Sequence, residues 1–254
     1  MKTTVILSRS IDSDGRETDF EDAFAGLCAG IGGLHVVIVP HLYHLPEHSD
    51  IWQTLASITG HLAVATWLFA RPAETLLKQH GLNPLAVLDC KTYNTPEECC
   101  EAIKNVLSIQ AAEHEVAGET SEIRQSLFQR WYPIIETSRC KDCGHCLQFC
   151  LFDVFEYDEA QNVVVAKADN CKPGCPACSR VCPESAIMFP LYAKDEAIAG
   201  APGQLVIMDP NATADRAAYI RARQTTPLLQ PGQDTPDDID LLINDLENLT
   251  RRKT

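Results

Sequence analysis

Eight of the chain's twelve cysteines fall between residues 140 and 182, in two runs that restrict how the chain around them can fold. The first run, Cys140-Lys-Asp-Cys143-Gly-His-Cys146-Leu-Gln-Phe-Cys150, has the spacing C-x2-C-x2-C-x3-C. The second, Cys171-Lys-Pro-Gly-Cys175-Pro-Ala-Cys178-Ser-Arg-Val-Cys182, repeats it with one extra residue in its first gap. A cubane iron–sulfur cluster needs four thiolates at the corners of a roughly tetrahedral cage, and closely spaced cysteines on a tight loop can supply three of them. Structural zinc uses two well-separated pairs and four ligands per ion, so these runs hold too many thiolates too close together. Disulfides need an oxidising compartment. Met1-Lys2 leads only to Val5-Ile6-Leu7 before the chain turns polar, which is no signal peptide. No apolar run reaches the roughly 18 residues of a membrane span, so the expected setting is cytoplasmic.

Residues 136–190 resemble a bacterial two-cluster 4Fe-4S ferredoxin domain, carried by both runs, the closing Cys182-Pro183 and the Glu184-Ser185-Ala186-Ile187 after it. The resemblance implies an α+β ferredoxin-like fold and crossed ligation, in which the last cysteine of each run serves the other run's cluster. Cys140, Cys143, Cys146 and Cys182 would then hold one 4Fe-4S cluster, and Cys171, Cys175, Cys178 and Cys150 the other. Two departures from the family stand out. Leu151 replaces a usual proline, and the added residue after Cys171 lies in a loop with Pro173 and Gly174 that can absorb it. Within residues 61–89, Val64-Ala65, Arg71-Pro72-Ala73-Glu74 and Gly81-Leu82-Asn83-Pro84 are similar to part of heterodisulfide-reductase-type and hydrogenase-associated iron–sulfur subunits. Those subunits carry a cysteine where this chain reads Thr66-Trp67; the similarity implies membership of a multisubunit redox system.

The first 115 residues alternate apolar runs (Thr4–Leu7, His35–Pro40, Leu62–Ala65, Leu85–Leu88) with helical stretches near 20–30, 50–58, 72–80 and 96–109. That alternation predicts a small parallel α/β sheet with helices on its faces. Thr95-Pro96-Glu97-Glu98 marks the last helix start, with Thr at the N-cap and Pro at the first helical position. Gly26, Gly30, Gly32 and Gly33 follow a helix and precede a strand, the reverse of a phosphate-binding loop, and read as a helix stop.

Open α/β sheets bind ligands at the carboxyl ends of their strands. Here that edge would carry Ser8, Arg9, Ser10, His41, His44, Trp67, Arg71 and Cys90, with Cys99 and Cys100 opening the next helix. Three cysteines and two histidines can make a metal or dithiol site, but no ligand spacing is recognisable there, which favours the reading that buried cysteine packs as a small hydrophobe, as Cys28 is expected to.

Residues 116–135 read as a linker and 136–195 as the cluster domain. A strand, a hairpin Val154–Tyr157 with Val163–Val165, and a strand Ala186–Phe189 are expected there. Residues 196–234 are an extended Pro/Gly-rich segment with a candidate edge strand Leu205–Met208, and 235–254 an amphipathic helix. On that helix Ile239, Leu242, Ile243, Leu246 and Leu249 share one face, which can cover its own protein or a partner groove. Two loaded clusters take the chain's net charge from −14 to about −18 by formal count. So acidic a chain suits a redox partner with a basic docking patch and not nucleic acid. Asp142, Asp153, Glu156 and Asp158 should lower cluster potential against Lys141, Lys172 and Arg180, giving roughly −400 mV.

The leading expectation is an electron carrier passing single electrons between a donor and an acceptor. The alternative is a subunit of an oxidoreductase complex, or a homo-oligomer, whose α/β domain carries a substrate, flavin or thiol site. A third reading makes that domain a docking module.

Overall fold

Parallel strands buried on both faces favour near-continuous apolar runs, and β1 (Thr3–Ser8), β2 (Leu34–Val39) and β3 (His61–Thr66) carry them in Val5–Leu7, Val36–Val39 and Leu62–Ala65. In the computed structural model, which describes residues 3–11, 15–109 and 118–206, they form the centre of a five-stranded parallel sheet. β4 (Ala86–Asp89) borders β3, and β5 (Glu119–Glu122) borders β2, so the order is β4-β3-β1-β2-β5. The β5 strand lies within the stretch read as a linker. In register, Val5 stands beside Val36 and Ala63, and Ile6 beside Val37 and Val64.

Topology decides which helix covers which face. The crossings β1→β2 and β4→β5 run one way along the sheet, and β2→β3 and β3→β4 run the other. Right-handed crossovers therefore put their helices on opposite faces. Accordingly α1 (Arg16–Ala29) packs with α4 (Pro96–Val106) over Val5, Leu7, Val36 and Ala63. The other face, with Ile6, Val37 and Val64, takes Trp52 of α2 (Asp50–Ala56) and Leu76 of α3 (Ala70–Gln79). The start of α4 carries the expected cap: Thr95 Oγ1 accepts from Glu98 N at 3.3 Å, and Glu98 Oε2 accepts from Asn94 N at 2.9 Å.

The cysteine-bearing segment packs against the α2/α3 face. β6 (Ile134–Ile135) pairs antiparallel with β9 (Ile187–Met188), and Ile134 and Met188 enter the same core as Trp52 and Leu76. β7 (Phe155–Tyr157) and β8 (Val163–Val165) form the expected hairpin. Short helices α5 (His145–Phe149), α6 (Ala177–Arg180) and α7 (Glu196–Ala199) complete it.

At the joint Tyr43 and Tyr132 stack with ring centroids 4.4 Å apart. Tyr43 Oη accepts from Tyr132 N at 2.7 Å and donates to Tyr132 O at 2.5 Å, and Tyr132 Oη donates to Tyr43 O at 2.9 Å. Contacts divide the chain into two compact units, Met1–Asp209 and Pro210–Thr254. The second unit, including the expected helix 235–254, lies outside the described residues. Leu205 and Val206 carry no strand, and the remainder of that candidate run is likewise outside.

Candidate metal centre

The first cysteine run doubles back because Asp142 and Gly144 take positive φ, 51° and 69°. A Cβ on Gly144 would also meet the Tyr157 hydroxyl, so this turn wants glycine for two reasons. α5 then begins at His145 and swings Cys146 inward. The resulting cavity is lined by Cys140, Cys143 and Cys146, and by Cys182 from the second run, with Ile135, Val163 and Ile187 around them. Burial pushes the Cys146 thiol up to about 12, with Cys182, Cys140 and Cys143 adding to it.

Two thiols of the other four are raised in the same way. Burial raises Cys171 to about 12, helped by Cys175 and Cys150. Cys178 is held well above its ordinary value by burial, with Cys171, Cys146, Cys150 and Cys175 as charged neighbours. Cys146 and Cys178 thus belong to one buried core that spans the two groups. Buried thiols of this kind release their protons when a cation replaces them, which is the donor chemistry an iron–sulfur core requires. Among the described residues, no three or more His, Cys, Asp or Glu converge to hold a single metal ion.

Backbone amides already point at sulfur: Asp142 N lies 3.4 Å from Cys140 Sγ, and Ala186 N 3.4 Å from Cys182 Sγ. Sequence reasoning missed one feature of the repeat. Asp153 and Ser185, each three residues past the end of its run, both take positive φ, 57° and 48°. The charges are less one-sided than expected. Lys167 Nζ meets Asp153 at 2.6 Å and Glu156 at 2.7 Å, and Asp158 accepts from Asn162 N within the hairpin. Asp142 stays beside Cys140, its Oδ1 accepting from Val163 N at 2.8 Å.

At the carboxyl edge of the sheet, Arg9, Ser10, His41 and His44 line one cleft, but the cysteines expected beside them lie elsewhere. Cys90, Cys99 and Cys100 pack with Cys28 in the α1/α4 layer, with Cys28 and Cys100 Sγ 3.7 Å apart. Hydrogen bonding between thiols and burial hold Cys28 and Cys90 as thiols well above the usual range. His41 and His44 sit on the turn after β2, where Leu42 and Tyr43 belong to the opposite layer. The three cysteines and two histidines of the expected metal or dithiol site are therefore split between two faces of the sheet. Arg71 turns to the cysteine segment, bonding Glu136 Oε2 and Ser185 O, each at 2.6 Å. Ser8 Oγ accepts from Leu42 N at 3.1 Å.

The crevice between β1 and β3 is filled by a residue the sequence did not single out. Glu21 of α1 is 1% exposed and accepts from Arg9 Nη1 (3.0 Å), Ser10 N (2.5 Å) and Trp67 Nε1 (2.7 Å). Open space lies on the other side of β1, as a cleft of about 540 Å³ whose lining includes Arg9, His41, His44, Gln125 and Phe128. Burial, then His44, pushes His41 down to about 3; burial, then Arg130, pushes His44 down to about 4.

No family model matches this chain. A segment of 61 residues, 24% of the chain, is 43% identical to an uncharacterized ferredoxin of Methanocaldococcus jannaschii. The matched region spans 41% of that relative's length. The likeness supports a ferredoxin-like iron–sulfur segment and, in general terms, iron–sulfur electron transfer. Among the described residues no helix is long and apolar enough to cross a membrane.

Proposed function

We propose that this protein is an iron–sulfur electron carrier with two 4Fe-4S clusters. One is held by Cys140, Cys143, Cys146 and Cys182, the other by Cys171, Cys175, Cys178 and Cys150. The observation that carries the reading is the spatial sorting of the thiols, with Cys182 lining a cavity otherwise supplied by the first run. A 4Fe-4S cluster supplies one-electron storage without bond breaking. The chain's own part is to shield the site with Ile135, Val163 and Ile187, and to aim the amides of Asp142 and Ala186 at sulfur, which favours extra negative charge there. Cys146 and Cys178 belong to one buried core, an arrangement that suits exchange of an electron between two clusters. Reduced thiols suit a cytoplasmic setting, and the acidic surface suits a partner with a basic docking patch.

Anaerobic reconstitution should give about eight iron and eight sulfide per chain, with a broad absorbance near 400 nm that bleaches on reduction. Stoichiometric zinc without sulfide would overturn the reading. A second reading, a subunit of an oxidoreductase whose α/β layer takes a ligand, is favoured by one observation: the cleft beside His41 and His44.

A further inference from the structure

Four cysteines lie outside the two runs, and the fold gathers all of them in one layer. Cys28 comes from α1, Cys90 from the turn after β4, and Cys99 and Cys100 from α4. They share the core that includes Phe24 and Ile103, and none is more than 4% exposed. Electron carriage through the two runs uses none of them. A buried cysteine that packs as a small hydrophobe needs no second sulfur beside it. Here the sulfurs meet in pairs. Cys90 is hydrogen-bonded to Cys99, and Cys28 Sγ donates to Cys100 Sγ at 3.7 Å although the two are 72 residues apart in sequence. A disulfide holds its sulfurs about 2 Å apart, so this second pair, on two helices that pack together, has only a short approach left to make.

The two thiols of that pair are not equivalent. Cys28 is fully buried, and its proton points at Cys100. Cys100 keeps 4% exposure and lies one helical turn before Lys104, whose side chain reaches solvent. The hydrogen bond from Cys28, opposed by burial, Glu101 and Glu97 and helped by Lys104, brings the Cys100 thiol down to about 7. The same bond, with burial, holds Cys28 well above the ordinary thiol range. Such a difference separates an attacking sulfur from a resolving one. Size then selects the oxidant. A sulfur 4% exposed meets only a molecule about as small as water, and a bulky thiol cannot be seated on it as a mixed disulfide. Hydrogen peroxide is small enough and needs one sulfur only.

We propose that Cys28 and Cys100 form a dithiol that reduces a small hydroperoxide and closes to a disulfide. The Cys100 thiolate attacks one peroxide oxygen and the O–O bond breaks. Hydroxide leaves and takes a proton from solvent, and Cys100 is left as the sulfenic acid. Cys28 sulfur then attacks Cys100 sulfur, the S–O bond breaks, and the hydroxyl departs with the Cys28 proton as a second water. Two electrons thus pass from the sulfurs to the peroxide. An external low-molecular-weight dithiol restores the pair by exchange and itself ends as the disulfide. This pair lies on the α1/α4 face of the sheet, opposite the face that carries the cysteine segment, and does not rest on the cluster reading.

The test exposes the full chain, clusters loaded and free of reductant, to a small excess of hydrogen peroxide. Free thiols are then alkylated and linked peptides are mapped by mass after trypsin, which puts Cys28, Cys90 and the adjacent Cys99 and Cys100 on three separate peptides. Most chains of the parent should carry a link between the peptides of Cys28 and Cys100. Cys28→Ala removes the resolving sulfur, so Cys100 should stop at the sulfenic acid and be labelled by dimedone. Cys90→Ala, outside the pair, should leave the link at its parental level. Where an alanine variant loses its helix dichroism, the parent's link alone decides. Absence of that link in a parent that stays folded overturns the proposal. So does a link that joins Cys90 in place of Cys28, or one that oxidised glutathione produces and peroxide does not.

Discussion

Gly144, just after the second cysteine of its run, and Gly174, just before the second cysteine of the other, both take left-handed backbone, with φ of 69° and 77°, but their surroundings differ. A Cβ at Gly174 meets nothing within 4 Å, whereas one at Gly144 meets the Tyr157 hydroxyl. Gly174→Ala should therefore cost only the backbone term, about 1–2 kcal/mol. Gly144→Ala adds displacement of Tyr157, and it should lower the melting temperature further and speed iron loss to a chelator. Equal effects at the two sites would show that the tyrosine simply swings aside. The two cleft histidines make a second residue-scale prediction. Both are depressed in the folded chain, to about 3 and about 4, by burial. Their neutral forms are full contributors above the unfolded value near 6.5. As pH falls below it the unfolded chain takes up protons that the folded chain refuses, so stability declines toward pH 4, by about 1.4 kcal/mol per unit for each histidine. Thermal melts of the parent and His41→Gln between pH 7 and 4.5 should show a shallower decline in the variant.

At the scale of elements, the proposed crossed ligation makes a prediction that neither run makes by itself. Cys182 lies at the end of the second run but lines the cavity of the first, through the β6–β9 pairing and the turn at Ser185. Cys182→Ala should therefore damage the same paramagnetic signal as Cys140→Ala, and Cys150→Ala the same one as Cys171→Ala; loss of different signals within either pair would exclude crossing. Elements with an apolar period were legible in the sequence: four strands of the sheet, four helices and the hairpin each fill a side of a core. β5 was not, because Glu119-Thr120-Ser121-Glu122 has no apolar residue. It is an edge strand held by backbone pairing to β2, with His35 Nε2 and Ser121 Oγ 3.0 Å apart. Glu21 escaped for a related reason. An acid on a helix reads as solvated, and only the folded chain brings Arg9, Ser10 N and Trp67 to it. The paired positive φ at Asp153 and Ser185 has no residue-type signature, since neither is glycine.

For the whole molecule, the decisive question is whether the sheet and the cysteine segment unfold together. Tyr132, Ile134 and Met188 share one core with Trp52, Leu76 and Tyr43, which joins the edge of the cysteine segment to the α2/α3 face, while Phe155, Ile187 and Phe189 belong to a core of the segment's own. The Tyr43 hydroxyl serves that joint twice, accepting from Tyr132 N and donating to Tyr132 O. Tyr43→Phe keeps the ring stack but strands a buried amide and a buried carbonyl, at about 1–3 kcal/mol each. Tyr132→Phe strands only the Tyr43 carbonyl and should cost about half as much. Because the shared core remains in both variants, far-ultraviolet dichroism and cluster absorbance should still melt together, at lower temperature in the order parent, Tyr132→Phe, Tyr43→Phe. Cluster bleaching well before loss of helix in the parent would mean that the cysteine segment is docked on the sheet rather than folded with it. In that case the link from His44 through Arg130 to the second cysteine group would be a contact that can open.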